Sequence, residues 1–262
     1  ENKNNIKIYL ANNKGLFSYK NDILANINSF VRHTFKNEKS LKNAIGNNKF
    51  GPISLWDVSQ VTNMSKLFEF KSTFNQPIGD WDVSNVRNMS SMFYNAESFN
   101  QHIGDWDVSN VTNMDHMFHY ANSFNQPIDG WDVSNVLNMS YMFMNANKFD
   151  QPIGGWDVSN VTDMDGMFKG TLGLGPIRFN QPIGNWNVSN VVNMESMFEL
   201  SKYNQPLDTW NVSKVTNMES MFAYDRNFNQ HINTKIVNQG QENEYTAWNV
   251  SNVTNMKNMF CY

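Results

Sequence analysis

Trp106-Asp107-Val108-Ser109-Asn110-Val111-Thr112-Asn113-Met114 is one of eight closely related copies, and its reading decides the fold. Trp-Asp-Val-Ser begins at Trp56, Trp81, Trp106, Trp131 and Trp156, 25 residues apart each time, and returns with Asn in second place from Trp186, Trp210 and Trp248. All eight tryptophans of the 262-residue chain therefore occupy one column of one repeat. All 16 methionines fall in or beside the segment after the tetrad. A fixed period of roughly 20 to 50 residues marks a stacked array whose units cannot bury their apolar faces alone.

Two shorter periods coexist inside the copy from Phe74 to Ser98. Trp81, Val83 and Asn85 alternate with Asp82 and Ser84, the pattern of a short strand with one face inward. Met89, Met92, Phe93 and Ala96 follow at i, i+3, i+4 and i+7, the stripe of a short helix. The expected fold class is an α/β repeat: a solenoid of about eight coils over residues 51–262, each a short strand plus a short helix, behind a helical N-terminal cap over residues 1–50.

Other columns supply the polar contacts. Asn63, Asn88, Asn113, Asn138, Asp163, Asn193, Asn217 and Asn255 precede the first Met, where an exchange of Asn for Asp suits a helix N-cap. Gln76, Gln101, Gln126, Gln151, Gln181, Gln205 and Gln230 do not vary, and coils about 4.8 Å apart would let them bond to one another in a ladder. In the cap, Ile23, Leu24, Ile27, Phe30 and Val31 form a helical stripe after Asp22, and a second short helix is expected from Ser40 to Ile45. The last coil stops at Tyr262 without a polar capping unit, an open edge that invites end-to-end assembly.

Composition narrows the function classes. Residues 1–50 carry nine Lys and Arg against three Asp and Glu, whereas the remainder carries 11 against 21. An acidic array is unsuited to nucleic acid, whose phosphates need a cationic face. No apolar run is long enough to span a membrane, and no signal region is present in this chain, which opens at Glu1. The lone Cys261 excludes an internal disulfide framework. No glycine-rich phosphate loop, Ser-His-Asp set or Cys pair occurs, so neither an enzyme nor a cofactor is expected.

Asp57, Asp82, Asp107, Asp132 and Asp157 form a column of carboxylates that resembles a calcium-binding edge. Because Asn187, Asn211 and Asn249 continue it, the shared property is an acceptor oxygen, and turn hydrogen bonding to backbone N–H groups is preferred over calcium. His116 and His119 have part of a metal-site spacing beside Asp115 but no third ligand, so both are read as surface histidines. Asn-x-Ser/Thr triplets are numerous, as by-products of the repeat.

Departures from the period carry more. Trp156 to Trp186 spans 30 residues, with an insertion around Leu172 and Leu174, and Trp210 to Trp248 spans 38, with one around Glu242 and Tyr245. Insertions in such arrays become loops on one side, often the binding side. Tyr94, His116, Tyr120, Tyr141 and Met144, at variable positions of the expected helices, form a second candidate surface. Trp81, Trp106, Trp131, Gln101, Gln126, Asn113 and Asn138 are read as structural columns.

The string Trp-Asp-Val-Ser-Asn-Val-Thr-Asn-Met, with Met-Phe and Phe-Asn-Gln-Pro-Ile, seen whole from Trp106 to Ile128, resembles the BspA-like surface-protein repeat. That family occurs in bacterial surface lipoproteins, algae and large DNA viruses. The resemblance covers residues 51–262 and implies a right-handed leucine-rich-repeat-like solenoid, with adhesion or binding of host proteins and no catalytic residues to carry over. Such members usually bear a signal or lipobox that this sequence lacks. The expected function is a non-enzymatic protein-interaction or structural scaffold. It would be an extracellular adhesin on a cell surface or a component of a virion exterior, with host, capsid or envelope proteins as partners. A calcium- or carbohydrate-binding surface module is the alternative.

Overall fold

The computed structural model describes residues 33–45 and 50–261. The helix expected from Asp22 to Val31 lies outside them. Successive copies lie directly on one another. Asn63, Asn88, Asn113, Asn138, Asp163, Asn193, Asn217 and Asn255 are joined by parallel bridges, each to the next. The tryptophans of all eight copies and the recurring Met and Phe columns of the inner layers merge into one buried core.

The N-terminal region extends this stack. Strand β1 (His33–Thr34) pairs in parallel with β2 (Trp56–Asp57), and Phe35 N–H donates to the Asp57 carbonyl at 2.9 Å. Helix α1 (Glu38–Ala44) is capped by Asn37, whose side chain accepts from Ser40 N–H. Leu41 and Ala44 on α1 are buried with Phe35, whose ring stands 4.8 Å from that of Trp56.

Within the repeats the expected short helix is replaced by a chain of turns. Its amides alternate in direction. Met89, Ser91, Phe93 and Asn95 donate to carbonyls of Asn113, Asp115, Met117 and His119 in the next layer, at 2.7–2.9 Å. Met92, Tyr94 and Ala96 donate three residues back within their own layer, at 3.0–3.1 Å. The reason is thickness. Layers bonded like neighbouring strands rise by about 4.8 Å, and an α-helix with its side chains is about 10–12 Å across. A helix would also spend its amides internally, leaving none for the neighbouring copy.

Alternating turns require alternating backbone. The first αL position, φ 52–58° in all eight copies, holds Lys66, Ser91, His116, Tyr141, Gly166, Ser196, Ser220 and Asn258, and the second holds Phe70, Asn95, Tyr120, Asn145, Leu200 and Tyr224. The Asn column does supply an acceptor, since Asn88 Oδ1 takes Ser90 N–H and Asn113 Oδ1 takes Asp115 N–H, but it closes a turn and starts no helix. Pairing also falls on this column: among the copies only Trp56–Asp57 is a strand at the tetrad.

Each indole after the first is tied to the layer before it. Trp81, Trp106, Trp131 and Trp156 donate their ring N–H to the carbonyls of Ile53, Ile78, Ile103 and Ile128 at 2.9–3.2 Å. Trp186, Trp210 and Trp248 do likewise to Ile153, Ile183 and Leu207 at 2.8–3.2 Å. Beside them two columns of phenyl rings run along the stack. Phe93, Phe118 and Phe143 follow at 5.5–5.6 Å, and each lies about 4 Å from a ring of the second column, Phe99, Phe124 and Phe149.

The glutamines do not bond to one another. Gln101 and Gln151 donate instead to the carbonyl and side-chain oxygens of Asn75 and Asn125 in the preceding layer, at 2.9–3.1 Å. The same Asn oxygens accept the backbone N–H of Asn100 and Asp150. The ladder is thus of Asn and Gln together. Asn85, Asn110, Asn135 and Asn160, expected inward, lie at the surface, their amides spanning to Ser59, Ser84, Ser109 and Ser134 carbonyls at 2.8 Å.

Trp131→Phe keeps a ring in the column but leaves the Ile103 carbonyl unpaired, a loss of about 1–3 kcal/mol before any cavity is counted. Urea unfolding followed by circular dichroism should show the variant displaced to lower denaturant by at least that amount.

Candidate functional site

Frame and exterior divide cleanly within a layer. Met114, Met117, Phe118 and Ala121 are buried, and the residues between them form the outer turn face. Four residues singled out from sequence, Tyr94, His116, Tyr120 and Tyr141, meet there. Tyr94 packs edge-on against Phe70 at 5.1 Å and against His119 at 4.8 Å. His116 lies 4.8 Å from Tyr141. Met144 occupies the same column as Tyr94 and His119 one layer further on, half-buried.

His119 is not the surface histidine its variable column suggested. It is only 7% exposed, lies flat on Tyr120 at 4.5 Å, and has no hydrogen-bond partner at either ring nitrogen. Burial, then the charge of His116, pulls its pKa down to about 3. His116 instead contacts Asp115 through Nδ1 at 3.1 Å, and this bond holds the Asp115 carboxyl below its usual range. One layer on, the Tyr141 hydroxyl donates to Asp165, while burial pushes the Asp165 pKa up to about 6. The Tyr141 ring lies over Gly166, where an added Cβ would meet it at 2.5 Å.

Backbone adds a constraint. His116, Tyr120 and Tyr141 have φ of 54–58°, a region in which bulky residues are strained and Gly or Asn is favoured. The stack needs only a turn at these positions, as Ser91 and Asn95 in the layer before satisfy it. Five rings have therefore gathered where the frame asks for none.

The insertions form separate features. In the first, Thr171 and Gly175 close an antiparallel bridge that holds Leu172 71% and Leu174 52% exposed. The second is a hairpin of β3 (Lys235–Val237) and β4 (Tyr245–Ala247). It is fastened to the preceding copy by the ion pair of Lys235 with Asp208 and by the Tyr245 hydroxyl donating to the Thr209 carbonyl. Glu242 stands exposed near its tip, whereas Tyr245 folds inward and is half-buried. Between hairpin and stack lies a groove of about 560 Å³.

The aspartate column forms turns. Asp82, Asp107 and Asp132 each accept the N–H and hydroxyl of the serine two residues on, at 2.6–3.1 Å, and the Ser134 bonds hold the Asp132 carboxyl below its usual range. Among the described residues no three His, Cys, Asp or Glu side chains gather as a metal ion would require. Nor is any helix among them long and apolar enough to cross a membrane.

Sequence reasoning missed His119, Asp165 and the groove. Tyr94, His119 and Met144, bulky in three successive copies of one column, were the available signal for the first. Of the groove the insertion around Tyr245 marked one wall and nothing marked the other, because the hairpin reaches back to a copy well before it.

The features together define a tandem-repeat protein with an invariant stacked interior and an individual outer face. The chain belongs to the family described as "Mycoplasma protein of unknown function, DUF285", whose model matches residues 31–150, 82–174 and 148–261. No curated protein and no solved structure matches it.

The unfolded chain binds a proton at His119 below about pH 6.5, and the folded one only near pH 3. The stability this residue contributes is present above pH 6.5 and is lost as pH falls toward 3. His119→Phe keeps the ring stack and removes the two unpartnered nitrogens. Thermal melts at pH 7 and pH 5 should show it more stable than the parent at both, with the larger gain at pH 5.

Proposed function

We propose that this chain is a non-enzymatic interaction scaffold, a leucine-rich-repeat-like solenoid of the BspA-like kind, exposed on a cell surface or virion and binding protein partners through its outer turn face. The observation that supports this most is the cluster of Tyr94, His116, His119, Tyr120 and Tyr141, three of them in strained backbone. The fold imposes this turn in every copy, and here rings occupy positions that Ser91 and Asn95 fill in the layer before, a substitution the turn itself does not call for. Large, half-exposed aromatic rings are the side chains over-represented in protein interfaces. The projecting Leu172 and Leu174 add a second apolar contact.

Photo-cross-linking residues placed singly at Tyr94, Tyr120 and Leu172, in protein presented in its native envelope or particle, should each capture a discrete protein partner. Asp82, on another edge of the stack, is the control and should capture none. Failure at all three positions would refute the reading.

A further inference from the structure

The groove beneath the hairpin differs chemically from the rest of its edge. The residues just before and after each tryptophan line this edge along the stack. In the first five copies the residue after the tryptophan is a carboxylate, and in the second and third the residue before it is one too, so that Asp80, Asp82 and Asp105 line a depression there. Under the hairpin the equivalent positions are Asn185, Asn187, Thr209 and Asn211, none of them charged. Charge is removed where the insertion builds a wall.

The amides keep the structural task of the carboxylates they replace. Asn187 and Asn211 accept the N–H of Ser189 and Ser213 through Oδ1 at 3.2 Å. Among the described residues no group takes their Nδ2 donors, which the aspartates lack. The hairpin contributes Asn243, Glu244 and Tyr245. Glu244 accepts from Gly240 N–H through one oxygen, and the Tyr245 ring is held by its hydroxyl bond to Thr209.

This combination selects a ligand class by elimination. An anion would meet the Glu244 carboxylate, and the nearby ammonium of Lys235 is engaged by Asp208. A cation would be better served by the aspartates that the other copies carry. An apolar ligand would strand amide donors without partners. What remains is uncharged, rich in groups that both donate and accept, and flat enough to lie along an aromatic ring. At about 560 Å³ the groove falls within the range of roughly 300–1,000 Å³ usual for small-ligand clefts.

We propose that this groove binds a neutral oligosaccharide, a di- or trisaccharide segment of an uncharged glycan. Asn187 and Asn211 donate to its hydroxyls, the free oxygen of Glu244 accepts from a hydroxyl, and Tyr245 supports a sugar face. The site goes beyond protein contact and lies on a different part of the molecule from the aromatic cluster.

The test uses the full chain on an array of neutral glycans, followed by calorimetry with maltotriose, cellotriose and chitotriose. At least one neutral saccharide should bind. The double variant Asn187→Asp with Asn211→Asp restores the residue five other copies carry and preserves the turn acceptors, so it should fold with an unchanged melting temperature and bind at least tenfold more weakly. Asp82→Asn should bind as the parent does. Absence of neutral-saccharide binding, binding confined to acidic glycans, or equal affinity in the double variant would each overturn the proposal. Capture of protein partners at Tyr94 and Tyr120 reads the interaction scaffold separately and does not depend on the result.

Discussion

A buried indole must place its N–H on an acceptor, and here every acceptor beyond the first copy is a main-chain carbonyl of the preceding layer. This contact sets the register of the stack. Between Trp81 and Trp156 the bond spans 28 residues each time. Trp186 reaches Ile153 across 33 residues and Trp248 reaches Leu207 across 41, at 3.0 and 2.8 Å. Extra sequence is expelled sideways while the interior stays in step. With alternate amides donated forward, a copy is bonded to both neighbours before any side chain packs.

That economy explains what could be read from the residues. The Trp, Met and Phe columns were legible because the same position faces the same interior in every copy, so recurrence and burial coincide. The i, i+3, i+4 stripe was misleading, since a run of alternating turns also brings Met89, Met92, Phe93 and Ala96 to one side. Periodicity reports which side chains share a face, and it is blind to the thickness available for the backbone. The glutamine column was legible as polar and structural, but its partner was not. An unvarying column suggests self-pairing, whereas Gln101 reaches the column beside its own, where one Asn offers two oxygens.

The outer face was legible only in part. Variability drew notice to Tyr94, His116, Tyr120 and Tyr141, and the structure gathers them into one cluster. The same variability misjudged His119, because a column that admits Glu69 and Lys169 says nothing of how deeply a ring sinks when Tyr94 and Tyr120 flank it. The exchange of Asp for Asn at 187 and 211 was legible as a shared acceptor. Its second meaning, an added donor, depends on a wall that only long-range folding supplies.

Because every inner layer presents the same bonds above and below, gain or loss of a whole 25-residue unit by gene recombination would change the length of the molecule without disturbing its cross-section. Copy-specific bonds limit this, as where Tyr141 meets Asp165 and Lys169 meets Glu199, and most of all at the hairpin-bearing copy, where Lys235 and Tyr245 are fastened to Asp208 and Thr209 in the copy before it. Separating those two copies would break both fastenings, which makes them the least interchangeable segment of an otherwise modular gene.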